Sequence, residues 1–354
     1  MAAGKDVTGV NGAGRSRVTI ADVAERSGVG LSTVSRVIRG ASGVSPATRE
    51  RVQAAVIETG YRADGVARSL RSSQNLGLVV LMVPDIGDPY FADTYLRLQD
   101  LTLGIGESLL LGCHLESVDL QRDLLHQMGM NRPATIVLVP APGTTLSDIQ
   151  AIRSGGSSVV ILDRPVAGSH EDCVLSANEE GAQLLVDQLD PQPDARVAIV
   201  SLPRGIWTQD RRVEATRRAL SRRGLSPVLE IEQPARTAPT SDAFLPIFEQ
   251  EIDTVLSMSI PPAMGVLRLE KLRGTPIPHF GCFDTHPWFD LGHRDIVRVT
   301  QAPLQVATEV MRLIERRRDD PDASIEASVE PFRLDEPERD SRQTQNSFFN
   351  EEIQ

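Results

Sequence analysis

VTIADVAERSGVGLSTVSRVIRG, residues 18–40, decides how the whole chain is read. Thr19 is placed to cap a helix, and Asp22 three residues on completes a capping-box pattern. Ile20, Val23 and Ala24 then fall on one helical face. Gly28 stands where a tight turn needs positive φ, a region costly for other residues. A second short helix is expected over about Leu31–Ile38. Val34, Val37 and Ile38 face inward, leaving Ser32, Thr33, Ser35, Arg36 and Arg39 outside. Ser45-Pro46 starts a third helix, a hydroxyl cap followed by proline at the first turn. Val52, Ala55, Val56 and Thr59 supply its buried stripe, and Gly60 ends it.

Three short amphipathic helices make a helix-turn-helix, or merely a small packing domain. The second helix decides between them, being too short and too polar outside to exist for its own stability. Its hydroxyls and guanidinium groups are the types that bond phosphates and base edges in the DNA major groove. Charge agrees. Residues 1–75 carry eleven basic and six acidic side chains, net +5, which leaves −16 for the rest of a chain of net charge −11. A basic head on an acidic body draws a polyanion to one end and repels it elsewhere.

The stretch above, followed by VSPATRERV, GYRADGVARSL and LGLVV, resembles the LacI/GalR family of bacterial transcription regulators. The likeness is specific in the head and continues more loosely to about Phe332. It implies a multidomain fold: an all-α, lambda-repressor-like helix-turn-helix head and an α/β, two-lobed, periplasmic-binding-protein-like body. The family's base-reading positions correspond to Leu31 and Ser32, with Arg36 a turn further on. Leu31 could touch a thymine methyl, Ser32 several bases, and Arg36 a guanine bidentately. Thr19, Thr33 and Ser35 are candidates for phosphate contacts or capping. VARSL corresponds to the family's hinge helix, with Val66, Ala67 and Leu70 on one face and Arg71 on another. The resemblance implies that two copies pair over the operator's centre and that Leu70 wedges into the minor groove, kinking the duplex. Ala63 and Gly65 replace the usual proline and asparagine, so this helix is less well started.

The chain's 354 residues exceed one typical domain. Expected divisions are a flexible arm (1–16), the head (17–62), a hinge and linker (63–75), the body (76–335) and a polar tail (336–354). No apolar run is long enough to span a bilayer and no secretory segment opens the chain, so a cytoplasmic location is expected, without membrane partners. Cys113, Cys173 and Cys282 are scattered and odd in number, unlike a disulfide framework. Cys282, Asp284 and His286 alternate without metal-ligand spacing, and no cofactor motif, nucleophile elbow or phosphate loop is present. Neither a metal, a cofactor nor an enzyme is expected.

From Leu76 the pattern changes. LGLVVLMV is a continuous apolar run of strand length, and a helical stretch is read around 91–111. Further strands are expected at Thr135–Val139, Val159–Leu162, Val197–Val200, Thr254–Leu256 and Ile296–Val299. Helices near 178–189, 211–223, 262–272 and 305–316 alternate with them, which argues doubly wound parallel sheets. Lobe one is placed at about 76–175 and 301–332, lobe two at about 176–300.

Ligands of such sheets sit beyond the carboxyl ends of strands. Tyr90 and Phe91 follow the first strand, where a ring could stack on a sugar or purine or simply be core. Asp163 follows VVIL in the same way. By resemblance, Arg212 matches the family's second-lobe arginine, with Trp207 and Thr208 just before it, and Asp284 matches its turn aspartate. Such a pair clamps hydroxyls or ring nitrogens. Ser259-Ile260 and Ala177-Asn178 replace polar pairs usual in the family. The expected protein is therefore a homodimeric regulator, a repressor of a pseudo-palindromic operator on double-stranded DNA, controlled by a small effector with a sugar favoured. The alternative is an effector-independent regulator whose body only dimerises.

Overall fold

A computed structural model describes residues 18–38, 43–60, 76–233, 241–291 and 295–335. Arg39, Val66, Ala67, Leu70 and Arg71 lie outside the described residues, as do the expected arm and tail. The chain divides into two units, residues 1–74 and 75–354.

The first unit holds α1 (Ile20–Ser27), α2 (Leu31–Ile38) and α3 (Pro46–Thr59). At the start of α1 the Asp22 carboxylate accepts from the Thr19 backbone N–H at 2.6 Å and from its hydroxyl at 2.9 Å. Gly28 ends the helix at φ 64°, and Gly60 ends α3 at φ 66°. Ser45 Oγ accepts from the Thr48 N–H at 3.3 Å, with Pro46 in the first turn. Val23, Val34, Val37, Val52 and Ala55 form the core, rimmed by Ile20, Ala24, Val29, Ile38, Val44 and Val56. Each buried valine contributes about 1.5–3 kcal/mol, so a core of five residues leaves little to spare. An exposed Arg26–Glu58 ion pair joins α1 to α3.

The second unit contains two sheets. Lobe one begins with β1 (Leu76–Val83), α4 (Pro89–Gly104), β2 (Ser108–Cys113), α5 (Val118–Gly129), β3 (Pro133–Leu138), α6 (Leu146–Ser154), β4 (Ser158–Leu162) and β5 (Asp172–Ser176). Lobe two follows as α7 (Asn178–Leu189), β6 (Val197–Ser201), α8 (Trp207–Arg222), β7 (Leu229–Glu232), α9 (Leu245–Glu249), β8 (Thr254–Ser257), α10 (Ile260–Arg273), β9 (His279–Phe283) and β10 (Val297–Thr300). The chain then returns to lobe one with α11 (Pro303–Asp319) and β11 (Ala327–Glu330), and closes on lobe two with β12 (Arg333–Leu334).

Strand order is β11-β5-β4-β3-β1-β2 in one sheet and β12-β10-β9-β8-β6-β7 in the other. All pairings are parallel except β10 with β12. Val79, Val80, Leu81, Met82 and Val83 are fully buried because helices cover both faces of the sheet. Leu98 of α4 and Val306 and Val310 of α11 cover one face of lobe one; Ile149 and Ile152 of α6 cover the other. Lobe two repeats the plan, with α7 and α8 on one face and α9 and α10 on the other.

The helix read at 91–111 stops at Gly104, and residues 108–113 are the strand β2. Gly106 turns the chain at φ 77° between them. β2 pairs on one side only, with β1. Its residues are half-buried or exposed except Gly112, so it lacks the unbroken burial that marks the inner strands.

Candidate functional site

On α2 the side chains divide as its period requires. Val34 and Val37 are buried, while Leu31, Ser32 and Arg36 are exposed and Thr33 and Ser35 are half-buried. Leu31 is 52% exposed, a large apolar side chain at the first turn with no core to enter. Gly30 starts the helix, its carbonyl accepting from Thr33 N and Val34 N at 2.9 and 3.0 Å. Arg36 has no ion pair or hydrogen bond with any described residue, so its guanidinium is available. Thr19 differs. Its hydroxyl donates to Asp22, and the structure uses it as a cap.

In the body, the carboxyl ends of both sheets meet around a cleft of about 30 Å³, space for a water or two. Lobe one lines it with Asp88, Tyr90, Phe91, Glu116, Asp163 and Arg164; lobe two with Leu202, Thr208, Gln209, Arg212, Ser259 and Asp284. Gln301 closes it from the segment between β10 and α11. Both sheets reverse strand order beside this point, between β1 and β3 and between β6 and β8, the usual ligand position of doubly wound sheets.

Arg212 sits on α8 in the buried heart of lobe two. Its Nε donates to Asn178 Oδ1 at 2.8 Å, and one terminal nitrogen donates to the Met258 carbonyl at 2.9 Å and to Asp284 Oδ2 at 3.2 Å. Its guanidinium lies over the Phe283 ring at 4.5 Å and the Phe332 ring at 5.3 Å. Asp284 also accepts from the Gln301 side-chain amide at 3.2 Å. Gln301 Oε1 in turn accepts from Ser176 Oγ at 2.5 Å. That last bond joins two of the three chain segments that cross between lobes, and Ala177 N donating to the Glu330 carbonyl at 2.9 Å joins the first to the third.

In lobe one, Arg164 grips Glu116 through both terminal nitrogens at 2.6 and 2.7 Å and reaches Asp163 Oδ2 at 3.3 Å through Nε. Asp163 and Asp284 are counterparts. Each follows a strand, β4 or β9, in left-handed backbone, at φ 67° and 68°. The backbone N–H of each donates at 2.8 Å to the neighbouring strand, to the Val174 and Val299 carbonyls respectively. Aspartate tolerates this conformation better than most residues. Burial pushes the Asp163 carboxyl above the usual range; Arg164 and Arg212 pull it back, while Asp284 and Glu116 add to the rise. Burial, then Asp163 and Asp284, hold the Tyr90 phenol well above its ordinary pKa, so the hydroxyl keeps its proton.

Of the eight residues proposed for the cleft from sequence, seven line it: Tyr90, Phe91, Asp163, Thr208, Arg212, Ser259 and Asp284. Trp207 does not. Thr208 and Arg212, four apart on α8, share the inward face, whereas Trp207 lies a hundred degrees round and stacks with Arg211 at 5.5 Å. Tyr90 and Phe91 are both core and lining, packed on each other at 4.9 Å. Asp88, Glu116, Leu202, Gln209 and Gln301 were missed. Only Asp88, which caps α4 by accepting from Tyr90 N at 3.1 Å, carried a local signal. Among the described residues no cluster could hold a metal ion and no helix is long and apolar enough to cross a membrane. All three cysteines are free, and Cys282 is buried.

A helix-turn-helix unit and a unit of two doubly wound lobes around a polar cleft define a DNA-binding transcription regulator with a clamp-like body. Comparison with known proteins gives the family. The model of "Bacterial regulatory proteins, lacI family" matches residues 19–64. The chain is 26% identical over 270 residues to the ribose operon repressor of Halalkalibacterium halodurans, covering 73% of this chain and 77% of that one. It is 27% identical over 208 residues to the transcriptional regulator GalR of Escherichia coli, covering 59% and 60%. A LacI-family regulator from Silicibacter pomeroyi superposes with TM-score 0.75 at 21% identity, over 90% of this chain and 98% of that one. The lac repressor dimer bound to operator and an anti-inducer does so with TM-score 0.70 at 21% identity, over the same shares. Residues 19–64 thus match the LacI-family model, and the chain as a whole is similar in sequence and fold to transcription regulators of that family.

Proposed function

We propose that the protein is a cytoplasmic repressor that binds a pseudo-palindromic operator as a homodimer and releases or holds it according to a small molecule in the interlobe cleft. The observation that carries this is the meeting of the two lobes' ion pairs, Arg164 with Glu116 and Arg212 with Asp284, at the switch points of both sheets. The names of relatives, a ribose operon repressor among them, favour a sugar-like effector. Leu31, Ser32 and Arg36 read bases; Thr33, Ser35 and Arg39 contact the backbone. Residues 17–62 form the head and 63–75 the hinge, where Val66, Ala67 and Leu70 pair with a second copy, Leu70 wedges the minor groove and Arg71 meets phosphate. The body occupies 76–335. A ligand preferring one lobe arrangement shifts operator affinity by its differential affinity for the two arrangements.

A second reading has support in the cleft itself. Its own side chains fill it to about 30 Å³, far below the ~300–1,000 Å³ of ordinary small-molecule pockets, so an effector must open the lobes or be absent. One experiment separates the readings. Operator fragments found by footprinting are titrated with the full-length protein, with and without neutral sugars, amino sugars and nucleosides, and heats of binding are recorded in parallel. Dyad-symmetric protection and a ligand that moves operator affinity support the proposal. Protection with no ligand response and only dilution heats supports effector-independent repression.

A further inference from the structure

The cleft lining is electrically unbalanced. It presents four carboxylates, Asp88, Glu116, Asp163 and Asp284, against two guanidiniums, Arg164 and Arg212. The pairs are assigned by geometry. Glu116 occupies both terminal nitrogens of Arg164, and Asp284 is the ion-pair partner of Arg212. Asp163 is left with one 3.3 Å contact from the Nε of an arginine whose charge Glu116 already matches. Its other carboxylate oxygen accepts nothing from the described residues, although only 4% of the residue is exposed. Its backbone lies in the left-handed region, at φ 67°.

Two further groups point the same way. The Tyr90 and Ser259 hydroxyls line the cleft, and both are buried without a hydrogen bond of good geometry, the Ser176 hydroxyl lying near Tyr90. Buried polar groups are almost always satisfied, so two unmet hydroxyls beside an under-matched carboxylate mark a missing partner. A neutral polyol would meet the hydrogen bonds and leave the charge; an anion would worsen it; a cation meets both. Resting on the reading of the cleft as an effector site, we infer that the effector carries a protonated amine, seated against Asp163 with the Tyr90 and Ser259 oxygens as further acceptors. The ligand class is an amine-bearing polyol such as an amino sugar. The rise of the Asp163 carboxyl, caused first by burial, is what an unmatched charge produces in the empty cleft.

The test uses the full-length protein in two measurements. In thermal melts at pH 7, Asp163→Asn keeps the left-handed backbone and removes an unmatched charge, so it melts at the parental temperature or a few degrees higher. Asp284→Asn, which strips Arg212 of its partner, melts several degrees lower. In calorimetry, D-glucosamine binds at least about tenfold more tightly than D-glucose, the change one charge-assisted contact brings, and Asp163→Asn abolishes that preference. The inference is overturned if Asp163→Asn melts as low as Asp284→Asn. It is equally overturned if glucose matches glucosamine or if the preference survives the substitution. The effector reading fails separately, when no sugar, amino sugar or nucleoside gives a binding heat; the Asp163→Asn melt still decides on the charge.

Discussion

Removing the cleft's second-lobe arginine is the sharpest probe of how the body is held together. In Arg212→Leu, the Asp284 carboxylate keeps the Gln301 side-chain amide and backbone N–H, while Asn178 Oδ1 and the Met258 carbonyl each lose a donor. Breaking a buried ion pair by deleting one partner costs about 3–5 kcal/mol, because the survivor is stranded. Leucine still packs on Phe283 and Phe332, and Gln301 still donates, so the low end, about 3 kcal/mol, is expected. At about 2–4 °C per kcal/mol for a unit of this size, the body's melting transition falls by about 6–12 °C. Adding Asp284→Asn removes the stranded charge, and a double-mutant cycle should return at least half of the loss. Circular-dichroism melts of the four proteins supply the cycle. A single mutant within 2 °C of the parent, or a double mutant no more stable than Arg212→Leu, refutes the view that this pair is a mutual requirement.

Arg36→Ala should weaken operator binding about 5–150-fold, the ~1–3 kcal/mol of one base contact, with selectivity relaxed at one base position and the far-ultraviolet spectrum unchanged; anisotropy titrations against operator variants check it. Gly181→Ala places a methyl 2.7 Å from the Phe332 ring and 3.1 Å from the Phe283 ring, the rings beneath Arg212. It should lower body stability by about 1–3 kcal/mol, read from denaturant midpoints. The Arg122 pair, with bonds from the Thr145 backbone N–H and hydroxyl, holds the Asp148 carboxyl down to about 2. A depressed folded-state pKa gives stability present above the unfolded value near 4 and lost as pH falls toward 2. Arg122→Gln should therefore shrink that acid-limb loss, and the melts of the two proteins should draw together as pH falls through the folded-state value.

What was legible in the sequence was local or repetitive. Thr19 with Asp22, Ser45 with Pro46, and the glycines at 28 and 60 all act within four residues, so chain order displays them directly. The inner strands announce themselves because burial on both faces removes every polar residue from runs such as residues 79–83. β2 escaped because an edge strand needs only half of that pattern, and three successive leucines read equally well as a helix face. The cleft was half legible. A strand end pointed to Asp163 and the family resemblance to Asp284, but Glu116 meets Arg164 across 48 positions and Ser176 meets Gln301 across 125, separations that leave no periodic trace. Trp207 was a fault of angle, since neighbours on a helix look in different directions.

The three passages of chain between the lobes, bound to one another through Ser176, Gln301, Ala177 and Glu330, limit how the body can respond to anything it holds. Strands tied side by side at one waist resist sliding and twisting, since either would shear those bonds, but they bend readily about a line through the waist. Motion is thereby reduced to a single angular coordinate, with the cleft near the pivot and the far rims at the ends of two long levers. An opening of the lobes about that line would move the far rims more than the groups around Asp284, which lie close to the waist.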